Sequence, residues 1–370
     1  MSLSTSANLP GPLARARRHL RLAAQARGLR AAQSPPFFIL FVNSICNLTC
    51  EHCFYWQNLN QRDDLTLQEL AALSRELGPI ENLNLSGGEP FLRPDLDEVV
   101  RMFVRDNGVR QVYVPSSGFF TDRTEKALRG ILKEDDLQLF VVELSIDGLK
   151  DYHNTLRGHK EAFDRALKTH DMLARLQRED PRVRVHAITT VTNKNIHELS
   201  ALTDFLFERC PSIEHHNIPV IRGDRKDPAL LAPNPDAYRA LWDHVQSRWA
   251  PREEGRFGGI VEPMLQWARD RTLREERQVV PCRAGVLTGV VYANGDVGLC
   301  EQHEPVGNLR NAGFQAIWHG EEANALRRRI AAKECWCTNE VFLWPSVTYD
   351  PPSMARALVG NPSWIPWSGS

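Results

Sequence analysis

Short apolar runs alternate with amphipathic helical patterns from residue 37 to about residue 225, and this alternation constrains the fold more than any other feature. Six units of a strand followed by a helix predict a parallel sheet with helical crossovers, either an open doubly wound sheet or a partial barrel. In both arrangements the chemistry takes place at the carboxyl ends of the strands. The predicted strands are Phe37–Val42, Asn82–Leu85, Gln111–Val114, Leu139–Ser145, Val183–Val191 and Glu214–Val220. Helices are predicted over Thr66–Leu77, Leu96–Asp106, Thr124–Leu132, Ala162–Arg178 and Asn195–Glu208.

The composition excludes several classes of protein. Hydrophobic residues make up 42% and charged residues 25% of the 370 residues, which excludes a collagen-like or wholly disordered chain. With 45 basic and 46 acidic side chains, no overall field attracts nucleic acid. The apolar runs fall short of the ~20 residues that span a bilayer, and the N-terminus lacks the apolar core of a secretory signal. We therefore expect a cytoplasmic protein whose cysteines are thiols available for metal or redox chemistry.

The first 36 residues form a basic segment with six arginines and no acidic residue. Because the whole chain has a net charge of −1, the remainder carries −7. We expect a solvated or loosely packed helical arm, and a weak contact with a membrane surface or a partner is the alternative. The apolar stripe of this predicted helix consists of Leu13, Ala16, Leu20 and Ala23.

The pattern predicts five segments along the chain. The basic arm (1–36) precedes a strand-and-helix core (37–225), and a helical connector follows (226–280). A small α+β module is predicted over 281–345, where an Asn294-Gly295 turn between two apolar runs indicates a β-hairpin. The tail (346–370) is rich in Pro, Ser and Trp.

Three cysteines lie within eight residues directly after the first predicted strand, at Cys46, Cys50 and Cys53. A loop of this length can surround one four-iron four-sulfur (4Fe-4S) cluster. Three thiolates ligate three of its irons and leave the fourth iron open to a small chelating molecule, whereas a closed cluster needs four cysteines. A zinc site with His52 as the fourth ligand is the alternative.

This C-x3-C-x2-C loop resembles that of the radical S-adenosylmethionine (SAM) superfamily. The second predicted strand ends in Ser86-Gly87-Gly88-Glu89-Pro90, which is similar to the glycine-glycine-glutamate-proline loop that the family uses for the methionine amino group of SAM. The glycines allow a close approach of the backbone, and a carboxylate attracts an ammonium group. The resemblance implies an α/β fold with a partial (β/α)6 TIM-like barrel and a small C-terminal α+β cluster-binding domain.

The resemblance also implies further SAM contacts at the ends of the later strands. Asp147 lies in the segment similar to the ribose-contacting segment, and Arg157 is similar to an arginine that pairs with the SAM carboxylate, for which a planar guanidinium is well suited. His52 stands where the family usually has an aromatic residue, and its ring is expected near adenine. The remaining expected contacts are Ser117, Ser145 and, as an apolar adenine contact, Val191.

A second set of cysteines resembles the auxiliary-cluster extension called a twitch domain, the shortened form of the SPASM domain. The resemblance implies that four thiolates close one auxiliary 4Fe-4S cluster, and zinc on the same residues is the alternative. The eighth cysteine, Cys210, precedes Pro211 and is interpreted as a core residue. The implied ligands of the auxiliary cluster are Cys282, Cys300, Cys335 and Cys337.

The activity implied by this resemblance is reductive cleavage of SAM to a 5'-deoxyadenosyl radical that takes hydrogen from a C–H bond. A flavodoxin- or ferredoxin-type protein would donate the electron, and the auxiliary cluster would assist a net oxidation or a bond formation or rearrangement. We expect a small natural-product or sugar-like metabolite as the substrate, with a ribosomally made peptide or protein side chain as the alternative. A non-catalytic iron–sulfur or zinc docking protein is the alternative of another class. Candidate substrate contacts are Tyr55, His215, His216, Glu301, Trp364 and Trp367.

Overall fold

A computed structural model describes residues 12–28, 31–253 and 257–359. Trp364 and Trp367, and with them residues 360–370 of the predicted tail, lie outside the described residues. In the part of the chain that is described, no helix is both long and apolar enough to cross a membrane.

Six parallel strands with helices between them form the partial barrel, so the predicted fold class is confirmed. The strands are β1 (Phe37–Asn43), β2 (Asn82–Gly87), β3 (Gln111–Ser116), β4 (Leu139–Ser145), β5 (Val183–Ile188) and β6 (Ile213–Asn217). The helices of this part are α1 (Pro12–Gly28), α2 (Leu67–Glu76), α3 (Leu96–Asn107), α4 (Thr121–Ile131), α5 (Lys150–Arg157), α6 (Ala162–Glu179) and α7 (Leu199–Arg209).

Local chemistry explains where these elements begin and which face they bury. Helix α2 begins at a capping box, because Thr66 Oγ1 accepts the Glu69 amide at 3.2 Å while the Glu69 carboxylate accepts the Thr66 amide at 2.8 Å. Every residue of β1 is buried, as expected for a strand covered on both faces. Along β3 and β5, buried and half-buried residues alternate, so one face packs on the helices and the other lines the barrel interior.

The C-terminal part adds helices and three short strands to the same sheet. Strand β7 pairs in parallel with β1, and β8 and β9 follow antiparallel, giving the order β6-β5-β4-β3-β2-β1-β7-β8-β9. The predicted hairpin turn joins β7 to β8, and Gly295 adopts a left-handed φ of 91° in it. The elements are α8 (Pro235–Glu253), α9 (Phe257–Glu275), β7 (Thr288–Val291), β8 (Asp296–Gly298), β9 (Gly307–Asn308), α10 (Phe314–Trp318), α11 (Glu321–Ala331), α12 (Glu340–Thr348) and α13 (Pro351–Val359).

The basic N-terminal helix α1 packs on the protein, which corrects the expectation of a solvated or loosely packed arm. Leu22 and Ala26 are completely buried in a cluster that includes Phe37 of β1 and Tyr349. Arg18 and Arg21 both form ion pairs with Glu81. The predicted apolar stripe was wrong in part, because Leu13 and Leu20 are 78% and 68% exposed.

Candidate functional site

The first three cysteines lie in the loop that follows β1, at the carboxyl edge of the sheet. All three are unpaired and half-buried. Asn60 Oδ1 accepts the Cys46 amide at 3.1 Å, and the Cys50 carbonyl accepts the Cys53 amide at 3.3 Å. Burial raises the pKa of Cys46 to about 12 and that of Cys53 to about 11, and the neighbouring thiols add to both shifts. Without a metal these thiols are therefore protonated, and ligation of a cluster would release their protons.

Gly87 and Gly88 bring the end of β2 against the backbone of this cysteine loop. A Cβ on Gly88 would lie 2.2 Å from the Ile45 carbonyl oxygen, and one on Gly87, at a φ of 136°, would lie 2.3 Å from the Asn43 carbonyl oxygen. The Glu89 amide donates to the Ile45 carbonyl at 2.8 Å. The glycines thus permit a close approach of two backbones, in addition to any approach to a ligand.

The Glu89 carboxylate is buried and joins the ends of β2 and β3. Ser116 Oγ donates to Oε1 at 2.9 Å, and the Ser117 amide and hydroxyl donate to Oε2 at 2.9 and 2.6 Å. Both oxygens therefore already accept hydrogen bonds from the chain. Ser117 was predicted from the sequence, whereas Ser116 was not, because its contact with Glu89 spans 27 residues of the chain. An ammonium ligand of Glu89 stays a prediction.

Asp147 and Arg157 bind each other, although the sequence analysis assigned them to different parts of SAM. Arg157 Nε and Nη2 lie 2.9 and 2.6 Å from Asp147 Oδ2, and the Thr190 amide donates to Oδ1 at 2.9 Å. Burial alone raises the pKa of Asp147, but Arg157 and the nearby imidazoles outweigh it and lower the pKa to about 2. The contact of Arg157 with the SAM carboxylate stays a prediction, and two of the arginine's nitrogens already donate to Asp147. The third nitrogen, Nη1, lies 4.0 Å from Cys50 Sγ.

Two histidines, His52 half-buried and His153 buried, border this ion pair. His52 Nε2 lies 3.8 Å from Asp147 Oδ2, and His153 Nδ1 accepts the Asp147 amide at 3.1 Å. Burial lowers the pKa of His52 to about 4 and that of His153 to about 3, and Arg157 contributes to both shifts. Both rings are therefore neutral near pH 7. The Nδ1 atom of His52 is buried and has no hydrogen-bond partner among the described residues.

The last two predicted SAM contacts differ in accessibility. Ser145 is half-buried at the end of β4, at the edge where the cysteine loop lies. Val191 is completely buried, and its amide and carbonyl are bonded to Pro219 and Ile221. The expectation of an adenine contact at Val191 is therefore corrected, because its side chain offers no surface to a ligand.

The four remaining predicted ligands, Cys282, Cys300, Cys335 and Cys337, line one common cavity. Gln278, which the sequence analysis missed, connects two of their loops: Oε1 accepts the Cys282 amide at 3.0 Å, and Nε2 donates to the Cys335 carbonyl at 2.9 Å. Cys210 is completely buried in the main core, which confirms its interpretation as a core residue.

The two thiol sets provide suitable ligands for iron–sulfur clusters. One set offers three cysteines at the sheet edge and the other offers four around one cavity, which are the numbers that an open and a closed 4Fe-4S cluster need. Within residues 12–28, 31–253 and 257–359, no three His, Cys, Asp or Glu side chains form a group suited to a single metal ion.

The barrel interior below the sheet edge is polar and rich in carboxylates. Glu143 lies on the face of β4 opposite the core residues Val142 and Leu144. Burial raises its pKa to about 7, and Glu340 of α12 raises it further while His215 opposes the shift. The same His215 and Glu340 act on the pKa of Glu262 of α9, which burial raises. These side chains therefore lie close enough for their charges to influence one another.

The proposed substrate contacts have different surroundings. His215 is half-buried and belongs to this interior region, whereas His216 is buried and bonded to Thr189 and Thr203, as expected for a structural residue. Tyr55 is 5% exposed and stacks on Tyr292.

Two family models match the chain: the Radical SAM superfamily over residues 40–206 and SPASM, an iron–sulfur cluster-binding domain, over residues 282–339.

A Methanosarcina barkeri Fe-coproporphyrin III synthase is 33% identical over 166 residues, which cover 44% of this chain and only 39% of that relative. The AdoMet-dependent heme synthase of the same organism is 29% identical over 304 residues, 75% of this chain and 80% of the relative. The crystal structure of Streptococcus suis SuiB bound to precursor peptide SuiA shares the fold, with a TM-score of 0.56, 17% identity and coverage of 88% of this chain and 74% of SuiB.

Proposed function

Because the chain belongs to the radical SAM superfamily and carries a SPASM iron–sulfur domain, we propose that it removes a hydrogen atom from a C–H bond of a small natural-product or sugar-like metabolite. SAM and 4Fe-4S clusters are its cofactors, and reductive cleavage of SAM supplies a 5'-deoxyadenosyl radical for this step. One observation carries the proposal. At the carboxyl edge of a parallel sheet, the loop with three unpaired cysteines packs against the Gly-Gly-Glu-Pro loop.

The residues of this edge have distinct proposed roles. Cys46, Cys50 and Cys53 hold the SAM-binding cluster, and Gly88 fixes the neighbouring loop against them. Asp147 orients the Arg157 guanidinium so that its Nη1, 4.0 Å from Cys50 Sγ, faces the cluster side of the site. The neutral His52 ring provides a planar surface and an unpartnered nitrogen toward the nucleoside. The Ser117–Glu89 hydrogen bonds keep the ends of β2 and β3 at a fixed separation.

The barrel interior supports a small polar substrate. Glu143, Glu262 and Glu340 place three carboxyl groups in this region, and Arg269, completely buried, pairs with Glu340 at 2.7 Å. Amine and hydroxyl groups of a metabolite donate hydrogen bonds to such carboxyl groups. Exclusion of water from the interior would protect the radical from side reactions.

A peptide is the second candidate substrate. SuiB, which shares this fold, has been crystallised with its precursor peptide SuiA. Under this alternative the carboxyl groups of the interior would receive a basic or hydroxyl-bearing side chain of the peptide.

The test of the proposed class is anaerobic reconstitution followed by reduction with SAM present. We expect about eight irons per chain, as two 4Fe-4S clusters require, and formation of 5'-deoxyadenosine. Cys50→Ala should lose SAM cleavage, and Cys210→Ala is the matched control because that buried thiol precedes β6, at the sheet edge opposite to the first cysteine loop. A chain that binds iron or zinc and leaves SAM intact would support the docking-protein alternative. Deuterium transfer to 5'-deoxyadenosine from labelled metabolites or peptides distinguishes the two substrate classes.

A further inference from the structure

Arg222 lies at the junction of the two cysteine sets. It follows β6, and its guanidinium carbon lies 4.5 Å from the centre of the Phe54 ring, directly after Cys53. Its Nε and Nη2 atoms lie 3.2 and 2.7 Å from Oε2 of Glu301, directly after Cys300. One side chain therefore contacts both cysteine loops.

The acceptor of this ion pair is almost completely shielded from water. The Glu301 side chain is 2% exposed, whereas that of Arg222 is 23% exposed. Asn339 Nδ2 donates to the same Oε2 at 2.8 Å, and Asn339 lies two residues after Cys337. The Glu301 carboxylate is therefore held between the loop of Cys300 and the loop of Cys337.

A buried carboxylate beside an iron–sulfur cluster makes addition of an electron less favourable, whereas a cation beside it has the opposite effect. We propose that Arg222 is a positioning residue that neutralises Glu301 beside the auxiliary cluster and thereby keeps the reduction potential of that cluster from falling. The proposal rests on the assignment of Cys282, Cys300, Cys335 and Cys337 to this cluster. Under this proposal the Arg222–Glu301 ion pair has an electrostatic role, and it also connects two parts of the fold.

Conservative variants separate charge from packing. Arg222→Gln removes the cation and leaves Glu301 buried without its ionic partner, so we expect a more negative potential. Glu301→Gln removes the anion with little change of shape, so the potential should become more positive. The double variant should return close to the parent value. Arg222→Lys retains the charge without the planar fork, and should stay closer to the parent than Arg222→Gln does.

The measurement is a redox titration followed by electron paramagnetic resonance. It uses the full chain with Cys46, Cys50 and Cys53 all replaced by alanine, so that the signal comes from the auxiliary cluster. Arg129→Gln, which removes a cation paired with Glu125 and Glu179 on the outer helices, is the matched control and should not shift the potential.

Three results would overturn the inference. Unchanged potentials in both single variants, or shifts in the same direction, refute the electrostatic role while the proposed function stands. If the auxiliary cluster has the same reduction potential in Arg222→Lys as in Arg222→Gln, the planar fork of the arginine matters and its charge does not. Absence of any auxiliary cluster in the parent overturns the cluster assignment together with the inference. SAM cleavage by the wild-type protein tests the proposed function separately.

Discussion

Replacing Arg157 by glutamine tests the buried ion pair at the carboxyl edge of the barrel. The side chains of Asp147 and Arg157 are 1% and 8% exposed, and the closest nitrogen–oxygen distance is 2.6 Å. At such a separation and an effective dielectric constant of about 20, the attraction is about 6 kcal/mol. Burial of the two charges costs several kcal/mol per ion, so the intact pair adds little net stability. Removing only one of the two charges is costly, because the other charge then stays buried without its partner.

The expected loss follows from what remains after each substitution. Arg157→Gln leaves the Asp147 carboxylate buried without a cation and with the Thr190 amide on its other oxygen, which lowers the free energy of unfolding by about 3–5 kcal/mol. Asp147→Asn combined with Arg157→Gln removes both charges and both desolvation costs. We therefore expect the double variant to be more stable than Arg157→Gln by about 2 kcal/mol.

Urea unfolding of the metal-free, reduced protein at pH 7, followed by circular dichroism, measures these differences. The pH dependence supplies a second readout: folding holds the pKa of Asp147 at about 2 against an ordinary 3.8, so the carboxylate's contribution is present above pH 4 and is lost as the pH falls toward 2. The double variant should lack this loss. If the double variant instead shows the sum of the two single losses, Asp147 and Arg157 are not energetically coupled and the reasoning is wrong.

Three further substitutions test other parts of the structure. Gly88→Ala places a Cβ 2.2 Å from the Ile45 carbonyl oxygen, so we expect the cysteine loop to shift and the iron content to fall toward that of the auxiliary cluster alone, measured by iron analysis. Wild-type stability should decrease between pH 4.5 and about 7 because the folded chain raises the pKa of Glu143, and Glu143→Gln should lack that decrease in urea titrations. Leu22→Ala should cost about 2–5 kcal/mol if α1 is part of the fold, and less than 0.5 kcal/mol if it is a loose arm, measured by the same unfolding assay.

The strands were predictable where burial alone decides their extent. Strand β1 is an unbroken apolar run, and its predicted and observed bounds differ by one residue. Strand β5 was predicted to reach Val191 but ends at Ile188. The next residue, Thr189, donates its hydroxyl to the Ile146 carbonyl at 2.5 Å, and only an isolated bridge joins Val191 to Val220. Side-chain bonds of this kind have no periodicity that a sequence pattern could indicate.

The site was predictable where a family resemblance groups residues that are distant in the sequence. The four cysteines from 282 to 337 were grouped from a family resemblance, and the structure places them around one cavity. The pairing of Asp147 with Arg157 depends instead on how α5 returns over the sheet edge, and that of Ser116 with Glu89 depends on neighbouring strands. The sequence did not indicate Gln278, because a glutamine four residues before a cysteine matches no motif. Tertiary contacts of single polar residues were therefore the part that the sequence did not indicate.

Strand β1 explains why the two cysteine sets form one unit. It pairs with β2 on one side and with β7 on the other, so the same strand supports both the SAM-binding edge and the auxiliary module. Phe41 lies 4.7 Å from the Tyr55 ring of the first cysteine loop and 4.8 Å from the Tyr292 ring after β7. A buried aromatic contact of this kind fixes the two loops without a flexible linker. Phe41 therefore connects the two loops independently of the Arg222–Glu301 ion pair, and this connection remains when the charge at Arg222 is removed.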